Sequence, residues 1–234
     1  MPMVVRFVLL RPRVPENLGS AARALKNFGW GDWGTVQSEV TDLAGAHRMA
    51  VQAEDTLAAR QTWGSLDEAL ADRAWVVGTS SRKLPGKRRL TPRQLAEEAL
   101  GRGPTALVFG DERSGLTNEE LERCHALSAL PTTAAQPSVN LAQALLVYAY
   151  DLRQAVLSQG PGTTGPRAVP ATDAQLRVLR EALVGTLQRG GFLKENDGRP
   201  APDQLVATLV RAGLSRAEAE LWTAALKTVE KHLP

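Results

Sequence analysis

Between Thr105 and Arg153 the chain twice runs a short apolar segment straight into a polar loop. Ala106-Leu107-Val108-Phe109 has the length and composition of a buried strand. It stops at Gly110, and Asp111-Glu112-Arg113-Ser114-Gly115 makes a charged turn. Thr117 and Glu120 have the spacing of a capping box for a short helix. A second apolar run, Ala126 to Leu130, stops at Pro131, and a loop of Thr, Ala, Gln and Pro follows. Ser138 and Asn140 then open a long helix whose apolar positions Leu141, Ala144, Leu145, Tyr148 and Leu152 recur at helical spacing. Two strands therefore deliver two polar loops, GDERSG and QPSVN, at their C-terminal ends. In an open parallel sheet that edge is where ligands bind.

The preceding residues follow the same rhythm. Val4 to Leu10 is a compact strand, and Pro12 and Pro15 keep the next loop extended. Leu18, Ala22, Leu25 and Phe28 form one apolar helical face, closed by Gly29. Within that helix Gly19 lacks a side chain, which is expected to leave open space beside Arg23. Asp42 to Arg60 is expected to be one further helix, with His47 as a structural or surface residue. Ser65 and Glu68 cap a helix through Leu70. Ala74 to Val77 is the next strand, ending in Gly78-Thr79-Ser80-Ser81-Arg82. Strands and helices alternate through residue 157, which predicts an α/β domain with a mostly parallel sheet.

A basic run follows: Arg82, Lys83, Lys87, Arg88, Arg89 and Arg93, interrupted by Pro85 and Gly86. The net charge of +3 and pI near 9.3 permit a polyanionic partner without requiring one. Six cations so close together point to phosphate-backbone contact, on a segment expected to be mobile before binding. Thr91, Pro92 and Gln94 cap the next helix, to Leu100.

Residues 158–171 are rich in Gly, Pro, Ser and Thr and read as a linker. Residues 172–234 then carry three expected helices. Thr172 or Asp173 caps the first, with Leu176, Leu179, Leu183 and Leu187 on one stripe and Gly190-Gly191 at its end. Pro202 to Ala212 is the second. Ser215 and Glu218 cap the third, which carries Leu221, Trp222, Ala225 and Val229. A module this small is marginal alone and is expected to dock or dimerise.

Several chemistries are excluded. Cys124 is the only cysteine, which rules out an internal disulfide and a cysteine-based metal cluster. It is expected to be a small buried residue, and no metal is expected. No GxGxxG follows the first strand, no GxxxxGK[ST] occurs, and no GxSxG elbow is present. With no N-terminal signal and no apolar run of about 18 residues, a soluble cytoplasmic protein is expected.

Three segments stand out together: PENLGSAARALKNFG with Asn17, Gly19 and Arg23; LVFGDERSGL with Gly110, Glu112, Gly115 and Leu116; and PSVNLAQAL with Ser138, Asn140 and Leu141. In that order, with GTSSR between the first two, they resemble the SPOUT class of RNA methyltransferases, in its TrmH-like branch. The resemblance covers roughly residues 3–157, the expected methyltransferase domain. The helical extension is similar to that of the TrmJ-type tRNA ribose methyltransferases. Val139 departs from the Leu usual at its position.

The resemblance implies a deep C-terminal trefoil knot, a homodimer, and S-adenosylmethionine as cofactor. Carried over by motif, the cofactor lies against Thr79, Ser80, Ser81, Gly110, Leu130, Ser138, Val139 and Asn140, with Leu107, Leu130 and Leu141 as apolar walls. Arg23 is the leading catalytic candidate, reaching the cofactor of a partner subunit, and Asn17, Glu112, Ser138 and Asn140 complete the site. Glu112 is expected to orient Arg23 or Asn17, or else to pair with Arg113. The implied reaction is methyl transfer to a ribose 2′-hydroxyl of tRNA, at cytidine or uridine 32 of the anticodon loop. A ribosomal RNA methyltransferase and a non-catalytic RNA-binding paralogue are the alternatives. The intact Asn17, Arg23, Glu112 and Asn140 argue against the paralogue.

Overall fold

The structure, a computed structural model, describes residues 3–159, 169–193, 204–205, 207–208 and 213–233. These residues fall into two compact units. One is built from residues up to Leu70 and from Trp75 to Gln159, the other from Ala71–Ala74 and the described residues from Val169 onward.

The first unit is an α/β sheet layered by helices. Its strands are β1 (Val5–Leu10), β2 (Trp33–Val36), β3 (Gln61–Trp63), β4 (Trp75–Thr79), β5 (Arg89–Leu90), β6 (Thr105–Phe109) and β7 (Ala126–Ser128). They form one sheet in the order β3-β2-β1-β6-β4-β7-β5, and every neighbouring pair is parallel. The mostly parallel sheet expected from the alternation is thus borne out.

Both faces of the sheet are covered, which explains why the strands are apolar throughout. Along β1, Val5, Phe7 and Leu9 enter one core, and Val8 and Leu10 the other. β6 splits likewise, Leu107 and Phe109 against Ala106 and Val108. The first core is closed by α1 (Pro15–Phe28), α5 (Pro92–Ala99) and α7 (Leu141–Ser158), and by α2 (Ala44–Met49) and α3 (Glu54–Ala58) outside α1. The second is closed by α4 (Leu66–Leu70) and α6 (Asn118–Arg123). Cys124, fully buried, donates its Sγ–H to the Glu120 carbonyl and lies in this second core, as expected.

Three strands escaped the sequence reading. β2, β3 and β5 have two to four residues each, too short to display a period. The helix expected from Asp42 to Arg60 is instead two helices, α2 and α3. The break comes at Gln52, whose φ of 60° is a left-handed turn that no helix accommodates. Gly19 does not open space beside Arg23. A Cβ there would lie 2.0 Å from the Ala46 carbonyl oxygen, so the glycine lets α2 pack directly on α1.

In the second unit α8 (Asp173–Arg189) and α9 (Arg216–His232) pack against each other. Both begin with complete capping boxes, Thr172 with Gln175 and Ser215 with Glu218. Leu176 and Leu179 of the expected stripe are buried. On α9, however, Leu221, Trp222, Ala225 and Val229 are exposed, Leu221 at 70%. The packed side carries Ala219, and Thr186 donates to the Leu226 carbonyl across the pair. The expected linker falls mostly, and the expected helix Pro202 to Ala212 largely, outside the described residues.

Candidate functional site

The strand order sets β1, β6, β4 and β7 side by side with all their C-terminal ends on one edge. The loops after these four strands therefore meet, although they are far apart in sequence. A cleft of about 350 Å³ opens there. That size lies within the range of small-ligand sites.

The loop after β6 is the tightest part. A Cβ on Gly110 would lie 2.0 Å from the Gly115 carbonyl carbon, so only glycine lets the chain double back there. Asp111 fastens the turn. Its Oδ1 accepts the Arg113 and Ser114 N–H groups, both at 2.8 Å, and its Oδ2 accepts the Ser114 hydroxyl at 2.7 Å. Burial pushes the Asp111 carboxyl up, but the Ser114 and Arg113 donors outweigh it, leaving it below the ordinary carboxylate value. Arg11, at the end of β1, lies 3.9 Å from Asp111 and grips both oxygens of Glu120 in α6. Arg11 holds a left-handed φ of 46°, a conformation that costs a residue with a side chain and is kept only where neighbours fix it.

Glu112, next in the loop, reaches across to the start of α1. The N-cap residue there, Val14, has no side chain that can cap. The Glu112 carboxylate binds the chain just ahead of the helix, accepting from Val14 N at 3.2 Å and Arg13 N at 3.0 Å. An anion at a helix N-terminus is also favoured by the helix dipole. The Asn17 amide donates to the same carboxylate at 2.8 Å. Asn140 completes the network: its Nδ2 donates to Asn17 Oδ1 at 2.9 Å. Its own Oδ1 accepts from Ala142 N and Gln143 N, capping α7. Asn17, Glu112 and Asn140, drawn from three distant segments, thus form one hydrogen-bonded chain. Glu112 orients Asn17 rather than Arg23.

Arg23 is not brought to this cluster. It lies exposed on α1 and does not line the cleft. Ser138 and Val139 line the cleft from the loop before α7. Thr79, Ser80, Ser81, Gly110 and Leu130 line it as well. The Thr79 hydroxyl is committed to the Val108 carbonyl at 3.1 Å, and Ser80 Oγ to the Arg82 N–H at 3.2 Å. Ser81 is exposed and lines the cleft.

Of the expected apolar walls, Leu130 and Leu141 line the cleft, but Leu107 is buried in the core and does not. Phe109 lines it in that place, because the residue nearer the strand's C-terminal end stands closer to the loop edge. Tyr148 and Ser128 were also missed as site residues. The Tyr148 hydroxyl donates to Ser128 Oγ at 3.0 Å, which donates to the Leu90 carbonyl at 3.0 Å. Burial, ahead of that hydrogen bond, pushes the Tyr148 phenol up to about 12, so it stays neutral. Its position in the α7 apolar stripe hides this role, since core packing explains it equally well.

The donor set suits S-adenosylmethionine. Serine hydroxyls and loop backbone groups meet Leu130, Leu141 and Phe109, a mixture that matches a ligand with polar ends and an adenine ring. Among the described residues no cluster of His, Cys, Asp and Glu could hold a metal ion, and no helix is long and apolar enough to cross a membrane.

The basic run is partly built into the fold. Arg89 and Leu90 form β5, paired with β7, and Lys87 Nζ donates to the Glu122 and Cys124 carbonyls at 2.6 and 2.7 Å. Arg88 pairs with Glu98 at 2.8 Å and Arg93 with Glu97 at 3.0 Å. Local sequence could not foresee that the run would supply an edge strand.

The chain is similar to known proteins over most of its length. The model of the SpoU rRNA Methylase family matches residues 4–150. The tRNA (cytidine/uridine-2′-O-)-methyltransferase TrmJ of Klebsiella pneumoniae is 34% identical over 241 residues, covering 97% of this chain and 96% of that protein. The crystal structure of TrmJ from Z. mobilis ZM4 superposes with a TM-score of 0.79 at 27% identity, covering 97% of this chain and 99% of that one. An AdoMet-bound rRNA methyltransferase from Sinorhizobium meliloti matches with a TM-score of 0.51 at 25% identity, over 64% of this chain and 56% of that one.

Proposed function

The chain belongs to the SpoU rRNA Methylase family, and from that membership we infer an S-adenosylmethionine-dependent methyltransferase acting on a ribose 2′-hydroxyl of tRNA. The observation that carries the reading is the Asn17–Glu112–Asn140 chain, which meets the loop cleft through Glu112. The near-full-length likeness to TrmJ, which extends through the helical second unit, favours tRNA over ribosomal RNA. The finer reading places the target at cytidine or uridine 32 of the anticodon loop.

Bound S-adenosylmethionine supplies a methyl group already activated on a sulfonium. The protein's task is then to align the hydroxyl with that methyl and to ease loss of its proton. Thr79, Ser80, Ser81, Gly110, Leu130, Ser138, Val139 and Asn140 are proposed to hold the cofactor; all but Asn140 line the cleft. Glu112 has both oxygens occupied by protein donors, which suits a positioning role rather than proton abstraction. Arg23 is proposed to orient a substrate phosphate and polarise the attacking hydroxyl. A guanidinium with a pKa above about 12 is a poor base.

Arg23 does not line this chain's own cleft, and that supports a homodimer in which it serves the partner's cleft. The trefoil knot of the SPOUT class is part of the same reading. It is supported by β7 lying between β4 and β5, with α7 returning to the face that carries α1.

The test is incubation with unmodified bulk tRNA and methyl-labelled S-adenosylmethionine, followed by nuclease mapping. One labelled ribose in the anticodon loop is expected. Label on a base would overturn the 2′-O assignment. Transfer to ribosomal RNA alone would overturn the substrate.

A further inference from the structure

Part of the 82–93 run is engaged by the fold. Arg88 and Arg93 face carboxylates, and Lys87 sits on carbonyl oxygens at the C-terminal end of α6. Arg82 differs. Its guanidinium donates to the neutral Asn118 side chain at 2.9 Å, which satisfies one N–H without offsetting the charge. Arg82 also lines the cleft.

A second such cation comes from another loop. Arg113 lines the same cleft and is exposed, and among the described residues its guanidinium has no ion-pair partner. Elsewhere in this unit Arg6, Arg11, Arg13 and Arg123 each bond to a carboxylate. The backbone at Arg113 is nevertheless firmly held, with its N–H on Asp111 Oδ1 and the Gly115 N–H returning to the Asp111 carbonyl at 3.0 Å. A fixed turn thus presents an unpaired cation beside the cofactor cleft.

We propose that Arg82 and Arg113 form a phosphate subsite at the cleft mouth, which holds a phosphodiester of the RNA strand beside the ribose to be methylated. The proposal rests on the methyltransferase reading above. Every internal ribose in RNA carries a phosphate on the carbon next to its 2′-hydroxyl. Holding that phosphate at the mouth therefore sets the hydroxyl's depth in the cleft. A guanidinium fork matches two phosphate oxygens, and such contacts fix register without reading sequence. Both side chains are exposed, whereas the carboxylate of a cofactor enclosed in the cleft would draw its partners out of water.

The test uses the full-length protein with Arg82→Gln, Arg113→Gln, the double variant, Arg113→Lys, and a control carrying Arg88→Gln with Arg93→Gln. Fluorescence anisotropy with an unmodified tRNA transcript gives Kd between about 50 and 200 mM salt. Methyl-transfer kinetics give kcat and KM, and calorimetry gives the affinity for S-adenosylmethionine. Each Gln variant is expected to lose about one unit of the log Kd against log salt slope and to raise the tRNA KM by about tenfold. Cofactor affinity and kcat at saturating tRNA stay near wild type. Arg113→Lys, which keeps a point charge, recovers most of the slope. The control keeps the wild-type slope.

An unchanged slope in the double variant would overturn the proposal. So would weakened cofactor binding with tRNA binding intact, which would give both arginines to the cofactor. Binding is read without turnover. A wild-type protein that bound tRNA but transferred no methyl would sink the reaction assigned above and leave the slope test of Arg82 and Arg113 in force.

Discussion

Asn140 and Asn17 meet amide to amide, with Nδ2 of Asn140 donating to Oδ1 of Asn17 at 2.9 Å. The same Asn140 caps α7 through its Oδ1. Capping therefore fixes which atom of Asn140 faces the site. The Asn17 amide is fixed in turn, because its Oδ1 receives Asn140 while its Nδ2 must donate to Glu112. Three polar side chains are locked in one arrangement before any substrate arrives, which is what preorganisation requires.

Asn140 thus has two separable jobs. Asn140→Asp keeps the capping oxygen and loses the donor to Asn17, so methyl transfer should fall about tenfold while stability is kept. Asn140→Ala loses both, with a further cost of about 1 kcal/mol, or a fall of about 2–4 °C in Tm. Thermal unfolding beside initial rates checks the split. Equal loss of Tm in both variants would mean that the amide donor, which both lack, and not the cap carries the stability.

Gly110→Ala should destabilise the first unit by at least about 2 kcal/mol, since the added methyl meets backbone rather than a side chain that could swing away. Denaturant unfolding measures this. Loss of cofactor binding should accompany it, because the displaced turn carries Glu112 and lines the cleft.

The Arg11–Glu120 pair gives a pH dependence of defined sign. Burial pushes Glu120 up, but Arg11 and the Thr117 N–H outweigh it, so the carboxyl lies below its ordinary 4.5 in the folded protein. Its contribution to stability is complete above that value and is lost as pH falls through the lower folded value. Arg11→Met should lower Tm at neutral pH, and the gap to wild type should narrow at acid pH as Glu120 protonates. A gap constant from pH 7 down to pH 3 would contradict the pairing.

Arg23→Ala should lower kcat by about a hundredfold or more, the usual cost of losing one charge-stabilising donor. Tm should move little, because exposed substitutions away from caps and cores usually change stability by less than about 0.5 kcal/mol. Cofactor affinity by calorimetry should hold. Strong transfer by the variant would remove Arg23 from the catalytic set.

The legible parts of the site share a reason. Gly110, Glu112, Ser138 and Asn140 sit at strand ends and helix starts, where glycine, a carboxylate or an asparagine is noticeable because apolar periodicity stops there. Phe109 and Tyr148 belong to the same cleft but stand inside apolar runs, so burial accounted for them and nothing local set them apart. Arg113 was noticed only as a partner for Glu112. Its free guanidinium at the cleft became visible once Glu112 proved to be engaged by Asn17, Arg13 and Val14. In the basic run, Arg88 and Arg93 face carboxylates, which the count of six cations along the chain could not show.

Sequence by itself determined the class of fold, because two-sided apolar strands alternating with capped helices can be buried only in a parallel sheet covered on both faces. It also determined which loops are polar, through the residues at which each apolar run stops. Tertiary structure decided the order of the strands and hence which loops meet. It also decided that α9 turns Ala219, rather than Leu221 and Trp222, toward α8. Those choices depend on contacts between segments distant in the chain, and no local period along the chain encodes them.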